Sequence, residues 1–310
     1  MSTVTTHEAF VHPALFYRTE QEYTQQTVAF LRGGLTNGEP MAVAVPGPNL
    51  ELIKAGLGGD AEGILFLDMT EAGRNPGRII PKVLRGFADA HPNGRVRIIG
   101  EPIWAERSAV EYPACAQHEA LINAAFEGRA VTILCPYDEA RLDPQVIADA
   151  RVTHPTLING DGRESVSGVY DWQAVVDRYN QALVPAPDAA AFSYGDEDLP
   201  AVRQFALAQA MRLGMDGVRL MDVELAVAEL TTNSVVHGGG GGTLAVWADQ
   251  GQLVCEVRDA GRLADPLAGR RPPEHGQLGG RGLMLVHYVA DLVRVHTSDD
   301  GTTVRFYLSL

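Results

Sequence analysis

Residues 229–237, which read Glu-Leu-Thr-Thr-Asn-Ser-Val-Val-His, decide the fold of the C-terminal third of this chain. Glu229, Asn233 and His237 follow one another at intervals of four residues. In an α-helix, side chains at this spacing lie on one face, about one turn apart. The stretch therefore predicts a helix from about residue 218 to 236 that presents a carboxylate, an amide and, at its end, an imidazole along one side.

These three side chains have chemistry that a binding or catalytic site can use. A carboxylate can accept a proton from an attacking hydroxyl group or water. An amide oxygen suits Mg²⁺, which takes hard oxygen ligands and usually shares them with nucleotide phosphates. The same spacing is also found on the solvated polar face of an ordinary amphipathic helix, so the segments that follow must decide between the two.

Residues 257–261 predict a strand that ends in Asp259-Ala260-Gly261. A carboxylate at the end of a strand can accept a hydrogen bond from an exocyclic amine such as that of adenine. Gly261 permits a turn that few other residues could follow. Asp and Gly also end many strands that bind nothing, so this motif indicates a binding site only in combination with the other segments.

A glycine-rich segment opens a second helix, predicted at residues 282–289, after a loop at 263–278 that is rich in proline and glycine. Glycines at a helix start let backbone N–H groups approach phosphate oxygens, although a plain helix N-terminus has the same appearance. A long loop of this kind is often a functional lid. The candidate phosphate-contacting residues are Gly279, Gly280, Arg281, Gly282 and Leu283.

A predicted hairpin turn at 299–301 leads into the last strand, at 302–308. Thr303, near the start of that strand, carries a hydroxyl that could reach a bound base or the Asp259 carboxylate. Threonine is also a common strand residue, so alone it indicates little.

The two halves of the chain predict different fold classes. Before residue 184, buried strands (41–45, 63–67, 96–99 and 131–134) alternate with helices (49–57, 78–90, 109–126 and 144–151), which predicts an α/β domain with a mostly parallel sheet covered on both faces. The second half predicts an α+β sandwich, with helices on one face of a mixed sheet. Prolines at 185 and 187 favour a linker, so we expect domains at 1–184 and 196–310 joined by residues 185–195.

Composition narrows the class of protein. The formal net charge of −14 argues against direct nucleic-acid binding, which depends on Lys and Arg. The three cysteines have no CxxC spacing and suggest neither a disulfide framework nor a zinc site. No signal-like or membrane-spanning segment is present in the sequence. We therefore expect a soluble, cytoplasmic protein that does not act at a membrane.

Taken in order, the segments around Asn233, Asp259, Gly280 and Thr303 resemble the Bergerat-type ATP-binding superfamily (GHKL), which includes gyrase and the histidine kinases. Within it, the Glu-(x)3-Asn-(x)3-His pattern and short lid are most similar to bacterial anti-sigma-factor serine kinases. The resemblance implies a Bergerat fold, ATP and Mg²⁺ as cofactors, Mg²⁺ binding by Asn233 and general-base action by Glu229. It also implies that Asp259 receives the adenine amine. Remaining members of the implied nucleotide site are His237, Gly261, Thr303 and the glycine segment.

The resemblance leaves three activities open. The first is an anti-sigma factor that also phosphorylates a serine of an antagonist protein. The second is an ATP-dependent protein-binding switch without catalysis, and the third is an atypical sensor histidine kinase. A histidine kinase needs a phosphoacceptor histidine on a helix before the ATP domain, whereas the nearest candidate, His118, lies in the other domain and lacks the expected proline.

The N-terminal half resembles the MEDS sensory domain, named for methanogen and methylotroph regulators, through its His-x-x-x-Phe-Tyr, Gly-Glu and Glu-x-Leu-x-Asn segments. That family looks like a degenerate relative of RecA-type ATPases, and no Gly-Lys-Ser/Thr follows the first predicted strand here, so a second ATP site is not expected. The resemblance implies a small-molecule ligand in a pocket lined by His12, Tyr17, Glu101 and Glu119. Together the two resemblances imply a sensory domain that controls transcription through a sigma factor or its antagonist, and they are compatible with a homodimer.

Overall fold

The computed structural model describes residues 10–271 and 280–310. These residues divide into two compact units. The N-terminal unit runs to residue 179 without residues 75–78, and the C-terminal unit comprises residues 75–78 and the chain from 180 onward. The boundaries proposed from the sequence, at 184 and 196, remain proposals, and a strand (Ala190–Gly195) lies inside the predicted linker.

A sheet of mostly parallel strands forms the centre of the N-terminal unit. Its strands are β1 (Phe10–Val11), β2 (Pro13–Tyr17), β3 (Met41–Val45), β4 (Leu65–Asp68), β5 (Val96–Gly100), β6 (Val131–Asp138), β7 (Thr156–Ile158) and β8 (Glu164–Val166). They are ordered β4-β3-β5-β6-β2-β7-β8, with β1 also paired to β6. Among the described strands of this sheet, only the β7–β8 pair is antiparallel. Every residue of β2 and β3 is buried, so this sheet is covered on both faces, as the α/β prediction required.

Seven helices of the described chain accompany this sheet: α1 (Glu20–Asn37), α2 (Gly47–Leu57), α3 (Met69–Ala72), α4 (Arg85–Ala90), α5 (Tyr112–Ala125), α6 (Pro144–Thr153) and α7 (Trp172–Arg178). The continuous helix predicted over 78–90 is wrong. Residues 79–84 form a π-helical turn before α4 begins. Pro81 explains the change, because proline lacks an N–H and its ring clashes with the carbonyl four residues earlier in an α-helix.

The C-terminal unit is an α+β layer, which confirms the predicted class. Its elements are β9 (Ala190–Gly195), α8 (Leu199–Arg212), α9 (Gly217–His237), β10 (Gly241–Asp249), β11 (Gln252–Asp259), α10 (Gly282–Val289), β12 (Leu292–Ser298) and β13 (Gly301–Ser309). The strand order is β12-β13-β11-β10-β9. All pairings among the described strands of this unit are antiparallel, so the expectation of a mixed sheet is wrong.

One hydrophobic core joins the three helices to one face of this sheet. Val223, Val227 and Leu230 of α9 belong to it and recur at helical spacing. From the sheet, alternate residues such as Val257 and Phe306 contribute, as expected for strands whose side chains alternate between faces. Burial of this face of α9 leaves Glu229 and Asn233 at the margin of the core, where both are half-buried. Among the described residues, no helix combines the length and apolar character that crossing a bilayer requires.

Candidate functional site

Helix α9 and the start of α10 bring Glu229, Asn233 and Gly282 together. A Cβ atom added to Gly282 would lie 2.6 Å from Glu229 Oε2 and 3.1 Å from Asn233 Nδ2. Any residue larger than glycine would therefore fill the space between the two helices. The first turn of α10 thus comes close to the carboxylate and the amide that the sequence singled out.

The start of α10 carries backbone N–H groups that the helix itself does not pair. Its N-cap residue, Arg281, makes no side-chain capping hydrogen bond, and its side chain is exposed. Gly280 has φ of +77°, a backbone conformation that favours glycine. The first N–H groups of a helix have no intrahelical partner, and together with the helix dipole they attract anions. This terminus can bind an anionic group next to Glu229 and Asn233.

Two members of the predicted glycine segment need separate comment. Gly279 lies outside the described residues. Leu283 is part of the segment, but its side chain packs against the hydrophobic core and beside Gly269. Only its backbone can take part in anion binding at the helix start.

Asp259 is held in one orientation by two donors. Ser234 Oγ donates to Asp259 Oδ2 at 2.7 Å, and the Gly261 backbone N–H donates to Oδ1 at 2.9 Å. Hydrogen bonds of this kind to a carboxylate are stronger than those between neutral groups. Because Ser234 follows Asn233 on α9, the same helix that carries Asn233 also fixes Asp259. Ser234 has no part in the sequence prediction.

Small residues are required around Asp259. A Cβ atom at Gly238 would lie 2.4 Å from Asp259 Cγ, and one at Gly261 would lie 2.7 Å from the His237 carbonyl oxygen. The glycine predicted to allow a turn at 261 therefore also allows close packing against the end of α9. The His237 side chain itself is exposed at that end.

The hydroxyl nearest to Asp259 on β13 belongs to Thr302. Asp259 pairs with Thr302, whereas Thr303 pairs with Arg258, and adjacent residues of a strand face opposite sides of the sheet. Thr302 Oγ1 donates to the Gly261 carbonyl oxygen at 2.8 Å. Thr303 thus lies on the face of the sheet away from Asp259, and Thr302 occupies the position that was expected for Thr303.

The four residues predicted for a sensory pocket are all buried, but they belong to two groups. His12 and Glu119 lie together, with His12 Nε2 3.7 Å from Glu119 Oε2. Two residues that the sequence did not single out complete this group: His154, whose Nε2 lies 3.2 Å from Glu119 Oε2, and Cys135, whose Sγ lies 3.4 Å from His12 Nε2. We call His12, Glu119, Cys135 and His154 the His-Cys-Glu cluster.

Tyr17 and Glu101 belong to the second group. Tyr23 donates its hydroxyl to Glu101 Oε2 at 3.1 Å, and Asn49 Nδ2 contacts both carboxylate oxygens at 3.0 and 2.9 Å. The rings of Tyr17 and Tyr23 lie 4.8 Å apart. Burial raises the pKa of Glu101 to about 8, against the opposing effect of the Asn49 and Tyr23 hydrogen bonds. This carboxyl group therefore keeps its proton in much of the neutral range.

The raised pKa of Glu101 predicts a pH dependence of stability. The folded state holds this proton above the pH at which the unfolded chain releases it. The contribution of Glu101 to the free energy of unfolding is therefore complete below about pH 4.5 and is lost as the pH rises towards 8. One such proton contributes a slope of at most about 1.4 kcal/mol per pH unit. We expect Glu101→Gln to show a flatter decline than the native protein in urea unfolding between pH 5 and 8. Equal slopes for the two proteins would show that Glu101 does not hold the proton.

Two family models match this chain. Residues 11–155 match the MEDS family, described as the methanogen/methylotroph, DcmR sensory domain. Residues 192–308 match the histidine kinase-like ATPase domain. The chain therefore combines a MEDS sensory domain with a histidine kinase-like ATPase domain, as the sequence resemblance predicted. The match of the C-terminal region supports an ATP-binding, kinase-like regulatory protein. A search of curated proteins finds no match.

The solved structures that are similar to parts of the chain include two that each cover less than half of it. The RsbU and RsbW domains of Rv1364c from Mycobacterium tuberculosis share 20% identity over 42% of this chain, with a TM-score of 0.31. The match spans about a third (34%) of that protein. The histidine kinase AdeS of Acinetobacter baumannii shares 11% identity over 46% of this chain and 87% of its own, with a TM-score of 0.25.

Proposed function

We propose that this protein is an anti-sigma-type regulator whose C-terminal unit binds ATP with Mg²⁺ and phosphorylates a serine of a partner protein. The N-terminal unit would control that activity in response to a small molecule. The observation that carries the proposal is the meeting of Glu229, Asn233 and the uncapped start of α10 at Gly282. The match of residues 192–308 to the histidine kinase-like ATPase domain supports the same function.

The residues present fit a magnesium-bound nucleotide. Gly282 leaves open a space that a Cβ atom would fill, and the N–H groups at the start of α10 suit phosphate oxygens. The Asn233 amide offers an oxygen of the kind that Mg²⁺ prefers. Asp259, already oriented by Ser234 and Gly261, keeps lone pairs that can accept from the amine of adenine. A donor set for phosphate, metal and base is thus available within one unit.

When bound, Mg-ATP would supply an activated phosphoryl group, whose transfer depends mainly on positioning and on stabilisation of charge. The residues of the chain itself would then have separate roles in the transfer. The Glu229 carboxylate would accept the proton of the incoming serine hydroxyl at its Oε2 atom. Asn233 would hold the metal, and the α10 terminus would stabilise negative charge.

A protein serine, and not a histidine of this chain, is the proposed phosphate acceptor. His118, the candidate phosphoacceptor, is only 1% exposed on α5. A buried imidazole cannot meet a nucleotide held in another part of the protein without unfolding its surroundings. Exposed serines of a partner, such as a sigma-factor antagonist, meet no such obstacle.

Radiolabelled ATP tests the proposal directly. The full-length protein is incubated with γ-labelled ATP and Mg²⁺, alone and with the proteins that co-purify with it from its own cells. We expect acid-stable label on a serine of a co-purified protein. Acid-labile label on this chain would instead indicate a histidine kinase. Nucleotide binding without any label would indicate a switch that acts through ATP-dependent protein binding alone.

A further inference from the structure

We propose that the His-Cys-Glu cluster is a closed, four-ligand site for a divalent transition metal of the Zn²⁺ class. Its ligand atoms are Nε2 of His12 and His154, Sγ of Cys135 and a carboxylate oxygen of Glu119. All four lie within 4.8 Å of one another, and all four residues are buried. The site belongs to the N-terminal unit and is independent of the nucleotide function proposed above.

The spacing of these atoms suits a tetrahedral metal. Metal–ligand bonds of about 2.0–2.3 Å place tetrahedral ligands about 3.3–3.8 Å from one another. In the cluster, Cys135 Sγ and His12 Nε2 are 3.4 Å apart, and His154 Nε2 and Glu119 Oε2 are 3.2 Å apart. The distance between His12 Nε2 and Glu119 Oε2 is 3.7 Å. Only small shifts of the side chains are needed to surround an ion.

The hydrogen bonds of the two histidines direct lone pairs into the cluster. Asn123 uses its Nδ2 to donate to the carbonyl oxygens of Ala120 and Thr153, so its Oδ1 must accept from His12 Nδ1, 3.2 Å away. His154 Nδ1 lies 2.8 Å from the Ala150 carbonyl oxygen, which can only accept. When neutral, each ring therefore carries its proton on Nδ1 and presents a bare Nε2 to the cluster. Metal-binding histidines have this outer hydrogen bond almost without exception.

Two atoms of the cluster lack a hydrogen-bond donor in the part of the chain that the structure describes. Within the described residues, His154 Nε2 and Glu119 Oε1 are buried and have no hydrogen-bond partner. Tyr137 donates to Glu119 Oε2 at 3.1 Å, which orients the carboxylate but does not satisfy its other oxygen. A buried carboxylate facing two imidazole lone pairs is costly unless a cation compensates for it. A bound metal ion would accept both imidazole lone pairs and compensate for the carboxylate charge at once.

The choice of ligands identifies the class of metal. Two imidazoles and a thiolate suit Zn²⁺ and other borderline transition metals, whereas Ca²⁺ and Mg²⁺ prefer oxygen ligands. Four protein ligands with no exposed position are typical of a structural site and not of a catalytic one. The ligands come from β6, from α5 and from the residues just before β2 and β7. A metal here would hold the centre of the sheet to the helix that covers it.

Metal analysis of the full-length protein tests this assignment. The protein is purified with a histidine-free tag and without chelator, and its metals are measured by mass spectrometry; about one transition-metal ion per chain is expected. Protein stripped by a chelator is then loaded with Co²⁺. Tetrahedral cobalt should give intense visible absorption, and a cobalt–thiolate bond should add a charge-transfer band in the near ultraviolet.

Matched variants assign the ligands. Cys135→Ala is expected to lose the charge-transfer band, whereas Cys115→Ala, which removes another buried cysteine of the same unit, should keep it. Tyr137→Phe should weaken Zn²⁺ binding about 10- to 100-fold, because it removes only an outer hydrogen bond. If Cys135→Ala does not fold, the cobalt spectrum of the native protein decides alone. Folded native protein that neither contains nor takes up Zn²⁺ or Co²⁺ would overturn the proposal, as would an unchanged spectrum in Cys135→Ala.

Discussion

Replacement of Glu229 by glutamine is expected to slow phosphoryl transfer to the partner protein by about 100- to 10,000-fold, the usual contribution of a positioned general base. Glutamine has nearly the same shape, so it preserves packing beside Gly282 but cannot accept the hydroxyl proton. Nucleotide affinity should change little, because the α10 terminus, Asn233 and Asp259 remain. The measurement is the initial rate of label transfer from γ-labelled ATP at saturating nucleotide.

Glu224→Gln is the matched control for this experiment. Glu224 lies on the same helix and is exposed, so its replacement removes the same charge without touching the site. We expect a native rate of transfer in the control. A native rate in Glu229→Gln as well would show that Glu229 is not the base. Loss of ATP binding in Glu229→Gln would show that its carboxylate serves binding instead.

Replacement of Asn233 by alanine is expected to weaken Mg-ATP binding about 10- to 150-fold, which corresponds to about 1.5–3 kcal/mol for a polar contact to a charged group. The loss should be large in the presence of Mg²⁺ and much smaller in its absence, because the amide is assigned to the metal. Isothermal titration calorimetry of the full-length protein, with magnesium and with a chelator, measures both conditions.

Val236→Ala provides the control for Asn233→Ala. Val236 lies on the same helix three residues later, and 63% of it is exposed. Its truncation should leave both affinities unchanged. An Asn233→Ala protein with native unfolding and native affinity for Mg-ATP would remove Asn233 from the metal site, and with it the principal support for the nucleotide proposal.

Local sequence patterns predicted the helices and strands of the proposed nucleotide site well. The four-residue spacing of Glu229 and Asn233 placed both on one helix, and the predicted bounds of α10 agree with the structure. These patterns succeed because helix periodicity and glycine at a helix start are local properties. The side of the sheet on which a strand residue lies is harder to predict from the sequence. A shift of one residue in β13 exchanges Thr302 and Thr303 between faces, and only the observed pairing with Asp259 decides between them.

The His-Cys-Glu cluster could not be predicted from spacing. His12 and Cys135 are 123 residues apart, and they meet because β2 and β6 pair in parallel, with Ala14 opposite Cys135. His154 joins them because β7 pairs with the other side of β2. A motif search detects ligands that share a loop or a helix, whereas these ligands come from β6, from α5 and from the residues just before β2 and β7. Of the four residues of this cluster, the resemblance to a sensory family implied only His12 and Glu119.

The uninterrupted course of α9 constrains how the ATPase unit can change in evolution. Each residue inserted into an α-helix turns everything beyond it by about 100°. An insertion between Glu229 and Asn233 would direct one of the two away from Gly282, while an insertion after Asn233 would move Ser234 away from Asp259. Related proteins that keep this chemistry must therefore conserve the length of this segment, even where their surface loops differ freely in length.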